Sequence, residues 1–296
     1  IVYPNHGAGS ACGKNMSSET FDTLGNQKKT NYALRADMTK EEFIDEVTTG
    51  LKPPPQYFGN NVRMNKGINT SIDEILHKGT TPIDAETFHE MSLQKDVLVL
   101  DTRTKEQYAD SGTIPGAWYI GLGGNFAPWV GALIKDINQK IIFICETGRE
   151  QEVVTRLSRV GYDNTAGYLR GGIRAWKAAG FEYDQIDSIS ATEFTNRLKN
   201  KSGEVLLDVR KESEYLSEHV VDVENFPLDD INSNFAEIDP DNEYVLHCAS
   251  GYRSLIAASI FQANGVKKVT DVRGGFKDIK DTGAKLTDYV CPTTLL

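Results

Sequence analysis

Short apolar runs, 97-VLVL-100, 141-IIFIC-145, 205-VLLD-208 and 244-YVLHC-248, alternate along most of the chain with segments whose apolar residues recur at helical spacing. Runs this short and continuously apolar read as strands buried on both faces. Their alternation with helices predicts βαβ units on parallel sheets. After Cys248, the stretch 252-YRSLIAASIFQAN-264 puts Leu255, Ile256, Ser259 and Ile260 at helical spacing, and Gly265 supplies a stop. Ser190 and Glu193 predict a capping box for a helix ending before Gly203, and Thr39 with Glu42 predicts another over 40–49, closed by Gly50. The proline-led stretch 51-LKPPPQYFGNN-61 reads as irregular.

The strand-helix pattern occurs twice. In the first copy 97-VLVLDTRTKEQY-108 is followed by 114-IPGAWYI-120, 141-IIFICETGRE-150 and 170-RGGIRAW-176; in the second 204-EVLLDVRKESEY-215 is followed by 218-EHVVDVENFPL-228, 244-YVLHCASGYRS-254 and 273-RGGFKDI-279. Cys145 and Cys248, and likewise Arg170 and Arg273, keep one common spacing, and Asp101 and Asp208 nearly keep it. Two homologous α/β domains in tandem are expected, each a mostly parallel sheet flanked by helices, over 72–186 and 187–296. Residues 1–71 differ: one capped helix, a Gly-rich loop and almost no strand pattern cannot enclose a core, so this piece is expected to be the tail of a larger domain.

Composition narrows the function. The 296 residues suffice for two or three domains without metal or disulfide support. With 32 basic against 42 acidic residues, the net charge is −10, and no basic block marks a nucleic-acid or membrane partner. Cys12, Cys145, Cys248 and Cys291 form no CxxC or His/Cys cluster, which argues against a zinc site or a secreted disulfide framework and for a reducing cytoplasm. The apolar runs fall short of the ~18 residues that would span a bilayer. The chain opens with Ile1 and no signal-peptide pattern, so it is expected to begin within a domain.

Cys248 closes a buried strand and precedes a helix, the place where open α/β sheets put their ligands. A short loop there turns its backbone N–H groups inward as an anion nest, and the helix N-terminus adds partial positive charge. Such surroundings favour thiolate over thiol. Ala249 and Ser250 keep the rim small, Gly251 allows the turn, and Arg253 offers a charged fork. A cysteine phosphatase uses a Cys-x5-Arg loop wide enough for phosphate. Only four residues separate Cys248 from Arg253, and the tighter ring suits a single sulfur atom. The alternative is an inert buried cysteine. Asp208 and Arg210 are expected to pair and fix the strand end, His247 to be a core residue, and Trp118, Trp129 and Trp176 to serve packing.

On the Cys-x-x-Gly-x-Arg-Ser loop, 208-DVR-210 and 274-GGF-276, residues from about 72 onward resemble two tandem rhodanese (thiosulfate sulfurtransferase) domains. The resemblance implies that Cys248 carries sulfur as a persulfide, that the amides of Ala249, Ser250, Gly251, Tyr252 and Arg253 cradle it with Ser254 beside them, and that Arg253 receives an anionic donor. No cofactor is implied for these domains. Thiosulfate, low-molecular-weight persulfides, thiols and sulfite are the implied partners, and association with a second copy stays open. Where the family writes Gly-His-Ile-Pro-Gly, this chain has 218-EHVVDV-223 around His219. The first copy keeps Cys145 and Gly148 but places Glu150 where Arg253 stands and Glu146 where Ala249 stands, which disfavours a thiolate; Arg149, one place out of register, offsets part of this. It is expected to be degenerate.

The stretches 3-YPNHGAGSACGK-14, 26-NQKKTNYALR-35 and 53-PPPQYFGNN-61 resemble the C-terminal part of the metallo-β-lactamase-fold (αββα) persulfide dioxygenases, which occur fused to rhodanese domains. In that family one iron, with zinc the substitute metal in the fold, is bound by His-x-His-x-Asp-His and further ligands upstream of the matching part. No complete metal set is expected in this chain. His6 matches a His-Gly segment lying beside the iron, and Cys12 shares its Gly-rich loop. The reading is a sulfurtransferase within a persulfide dioxygenase fusion of sulfide detoxification; the alternative is a non-catalytic persulfide-binding or scaffold tandem supporting a metal-dependent enzyme.

Overall fold

The computed structural model describes residues 1–4, 19–49, 57–67 and 71–290. His6, Cys12, Gly50 and Cys291 lie outside the described residues. The chain divides into two units, one ending at Pro54 and one running from Pro55 to Val290.

The described part of the first unit holds helices Leu24–Thr30 and Lys40–Thr48 with a 3-10 turn Tyr32–Leu34 between them. Thr39 and Glu42 make both halves of the predicted capping box. None of its described residues is buried.

The second unit carries both repeats. Its first helix, Tyr57–Lys66, occupies ground expected to be irregular. No proline lies within 57–66, so every residue there keeps the backbone N–H that a helix needs. The first repeat contributes strands β1 (Pro82–Ile83), β2 (Val97–Asp101), β3 (Trp118–Tyr119), β4 (Lys140–Ile144) and β5 (Thr165–Leu169). The second contributes β6 (Asp187–Ile189), β7 (Val205–Asp208), β8 (Glu224–Asn225), β9 (Glu243–His247) and β10 (Lys268–Val272). Each sheet is parallel, and the strand orders correspond: β1-β5-β4-β2-β3 and β6-β10-β9-β7-β8. The buried central strands are the continuous apolar runs of the sequence.

Ser190 caps helix Ala191–Asn200 by accepting from Glu193 N–H. The reciprocal half of that box is absent, because the Glu193 carboxylate takes Arg197. The helix ends on Lys201 in the left-handed region, before Gly203. Helix Tyr252–Ala263 is buried on nearly every side from Ser254 to Phe261. A helix so enclosed must have partners on two sides. One is its own sheet; the other is the first repeat, where Ser259 Oγ accepts the N–H of Tyr119 on edge strand β3 at 2.9 Å. No helix among the described residues is long and apolar enough to cross a membrane.

Candidate functional site

Parallel register brings the strand-end acid of each repeat beside its cysteine. Asp208 is the partner of His247, and Asp101 of Ile144, so the cysteine follows directly. In both repeats the acid and the arginine two residues on form a buried fork. Asp208 accepts from Arg210 at 2.9 and 2.6 Å, and Asp101 from Arg103 at 2.9 and 2.5 Å. Arg210 also donates to Glu218 O and lies over the Phe276 ring at 3.8 Å. The pair fixes the strand end, as the sequence suggested.

Cys248 follows β9 and is 1 % exposed. Gly251, at φ +86°, turns the loop so that its N–H donates to Cys248 Sγ at 3.2 Å, and Ser254 Oγ lies 3.5 Å from the same sulfur. Beneath the loop runs the turn Arg273-Gly274-Gly275. Gly275 has φ +60°, and a Cβ there would collide with the Cys248 carbonyl and the Ser250 amide. With only hydrogen in that place, Phe276 N–H donates to Cys248 O at 2.6 Å and Lys277 N–H to Ala249 O at 3.2 Å. These bonds hold the loop carbonyls away from the sulfur, which leaves Sγ facing donors.

Two side chains of the loop, Arg253 and Tyr252, are engaged by other parts of the protein. Arg253 does not extend an open fork: both its terminal nitrogens are taken by Glu214, at 2.6 and 2.9 Å. Burial pushes the Glu214 carboxyl up, but the guanidinium beside it prevails and holds it below the ordinary carboxylate range. The Arg253 charge still interacts with Cys248. Tyr252, whose amide is expected in the cradle, turns its side chain to the first repeat; its hydroxyl donates to Gly121 O at 2.7 Å and its ring packs over Gly124. Only the Tyr252 backbone remains at the loop. Ser250 is tied to the first repeat as well, its carbonyl accepting from Lys105 Nζ at 2.9 Å.

His247 is wholly buried between Phe194 and Phe276, and burial lowers its pKa. Its Nε2 has no hydrogen-bond partner and lies 3.9 Å from Asp208 Oδ2. It is therefore a core residue without full satisfaction. His219 stacks on Tyr215 and bonds its carbonyl, and its N–H is taken by Thr287. Trp129 and Trp176 are buried, as expected of packing residues.

The loop after Cys145 is built from the same backbone but neutralised. The amide of Gly148, the counterpart of Gly251, donates at 3.0 Å to the Glu150 carboxylate and not to sulfur. Arg149 is consumed by Glu146 and Glu152, both at 2.9 Å. Burial, then Glu150, push the Cys145 thiol up to about 12. Gln107 stands where the second repeat has Glu214, so acid and arginine are replaced together. Among the described residues, no three His, Cys, Asp or Glu side chains gather as a metal site.

The rhodanese-like domain family model matches residues 84–179 and again 190–282, more than half of the chain. A sulfurtransferase of Allochromatium vinosum is 28% identical over 90 residues, covering 30% of this chain and 84% of that protein. YrkF of Bacillus subtilis, proposed by its name to be a sulfur carrier protein, is 32% identical over 93 residues; the match covers 31% of this chain and only half of YrkF, 50%. Among solved structures, a rhodanese-like domain protein of Staphylococcus aureus is 26% identical with a TM-score of 0.32, covering 35% of this chain and 100% of that one.

Proposed function

This chain belongs to the rhodanese-like domain family, and from that premise we propose that it is a sulfurtransferase carrying sulfane sulfur on Cys248. The observation that supports this most is the Gly251 N–H directed at Sγ, in contrast to the first repeat, where the same amide is spent on Glu150. The Cys248 thiolate attacks the outer sulfur of thiosulfate or of a low-molecular-weight persulfide. The donor S–S bond breaks, its electron pair leaves with sulfite or a thiolate, and Cys248 holds the outer sulfur as a persulfide. A thiol acceptor, as its thiolate, or sulfite then attacks that terminal sulfur, and the Cys248 thiolate leaves and is restored. Burial of Cys248 keeps water from the persulfide and requires the loop rim to yield when a donor enters. A reducing, cytoplasmic setting keeps the thiol available.

Intact mass after exposure to thiosulfate tests the proposal. One added sulfur on the wild type, absent from Cys248→Ser, is expected; no adduct on the wild type overturns it. A second reading, a tandem that holds persulfide or docks partners without turnover, draws on the enclosure of Cys248 and the engagement of Arg253 by Glu214. Sulfite released over many turnovers with excess thiol acceptor favours transfer, and release limited to a single equivalent favours holding.

The proposed domains are 1–71, 72–186 and 187–296. For the first, the resemblance of 3–14, 26–35 and 53–61 to persulfide dioxygenases supports the C-terminal part of that fold, with His6 and Cys12 in its loop. Among the described residues no set of His, Cys, Asp or Glu side chains fits iron. Iron content and persulfide-dependent oxygen uptake by the intact gene product test the fusion; a metal-free protein without oxygen uptake rejects it.

A further inference from the structure

Asp271 lies near the end of β10, is 2 % exposed, and has an Oδ1 with no partner. In the β9/β10 ladder it stands opposite Leu246, which packs in the core cluster beneath helix Tyr252–Ala263. Cross-strand partners share a face, so Asp271 lies under the helix whose first turn carries Ser254. The Ser254 hydroxyl is fully buried and lies 3.5 Å from Cys248 Sγ, and it is the neighbouring hydroxyl whose pull on the Asp271 carboxyl opposes the effect of burial. A hydroxyl has one proton to donate. When Asp271 is ionised it takes that proton. When Asp271 is protonated, the acid donates to Ser254 Oγ, and the serine proton is free to point at sulfur.

Burial pushes Asp271 up to about 7, against the pull of Ser254, Lys105 and Arg273. Lys105 is engaged by Ser250 O and Arg273 by Asp110. The other strands packed on β10 bring His247, which alternation places on the opposite face with Phe194 and Phe276, Glu243, which pairs with Lys268 at the far end, and Asp187 at the exposed start of β6. In the first repeat the positions of Ser254 and Asp271 hold Gln151 and Tyr168.

We propose that Asp271 is a positioning residue that acts through Ser254 as proton acceptor for Cys248. The Sγ–H bond breaks as its proton passes to Ser254 Oγ, and the serine O–H bond breaks as its own proton passes to the Asp271 carboxylate. Negative charge thereby moves from carboxylate to sulfur with no change in the total, and the reverse path restores the thiol. This deepens the sulfurtransferase reading and rests on Cys248 as its nucleophile.

The test is the pH dependence of iodoacetamide alkylation at Cys248, read by peptide mass in the full chain, for wild type, Asp271→Asn, Ser254→Ala and the double variant. Asparagine can donate to Ser254 but takes no proton and bears no charge, so the alkylation midpoint is expected to fall by about one pH unit or more. In the Ser254→Ala background the shift from Asp271→Asn should shrink to roughly half or less. Equal midpoints for wild type and Asp271→Asn, or an undiminished shift without Ser254, overturn the relay. Should Asp271→Asn not fold, Ser254→Thr, which keeps the hydroxyl, must retain the wild-type midpoint while Ser254→Ala departs from it; identical behaviour of the two overturns the relay. Alkylation needs no sulfur transfer, so a missing thiosulfate adduct with this titration intact rejects the sulfurtransferase reading alone.

Discussion

Asp208 accepts a bidentate fork from Arg210 with both side chains nearly excluded from water, and Asp101 with Arg103 does the same in the first repeat. Removing one partner leaves a charge that burial makes costly. Asp208→Ala is expected to destabilise the fold by about 3–5 kcal/mol, seen as a lowered urea midpoint; a loss under about 1 kcal/mol would mean that water reaches Arg210. Asp271 has a different pH signature. Its folded-state pKa is raised, so between the ordinary carboxylate range and about 7 the folded chain holds a proton that the unfolded chain has released. Stability therefore falls as pH rises through that window. Asp271→Asn removes the penalty: its melting temperature should match the wild type near about pH 4 and exceed it above neutrality. A variant that melts lower than the wild type at alkaline pH contradicts this.

At the scale of elements, the loop after Cys248 depends on the turn beneath it. Gly275→Ala strains a left-handed backbone and drives a Cβ into the Cys248 carbonyl, so Phe276 and Lys277 can no longer tie the loop down. A loss of about 1–3 kcal/mol from the backbone alone is expected, with faster alkylation of Cys248 as the loop loosens; unchanged melting and alkylation would refute the coupling. The strands, the duplication and the place of Cys248 were legible in the sequence, because continuous apolar runs and a Gly-x-Arg-Ser loop are local patterns. Glu214 and Asp271 were not, because each reaches the site from a distant part of the chain through one side-chain contact. A signal for them existed in the comparison of the repeats: Glu214 and Arg253 become Gln107 and Glu150, while Ser254 and Asp271 become Gln151 and Tyr168. Residues that change together across a duplication belong to one site. The Tyr252 side-chain contact was not legible either, since its partner Gly121 belongs to the other repeat. The helix at 57–66 was missed because the prolines before it read as a barrier for the whole stretch, although none lies within 57–66.

Across the whole second unit, the two repeats meet through specific polar contacts. Tyr252 bonds Gly121 O, Lys105 bonds Ser250 O, Asn232 bonds Leu133 O, and Ser259 receives the Tyr119 amide. Ser259→Ala leaves that buried backbone N–H without an acceptor and should cost about 1–3 kcal/mol, with hydrogen exchange at Tyr119 accelerated; exchange as slow as in the wild type would show that another group satisfies the strand. Such contacts tie the second repeat to a first repeat whose own thiol burial pushes up to about 12. The helix that begins at the sulfur loop also closes the open margin of the neighbouring sheet at β3. Excising the first copy would lay an apolar cylinder bare to water beside Cys248, and the shortened protein is expected to clump.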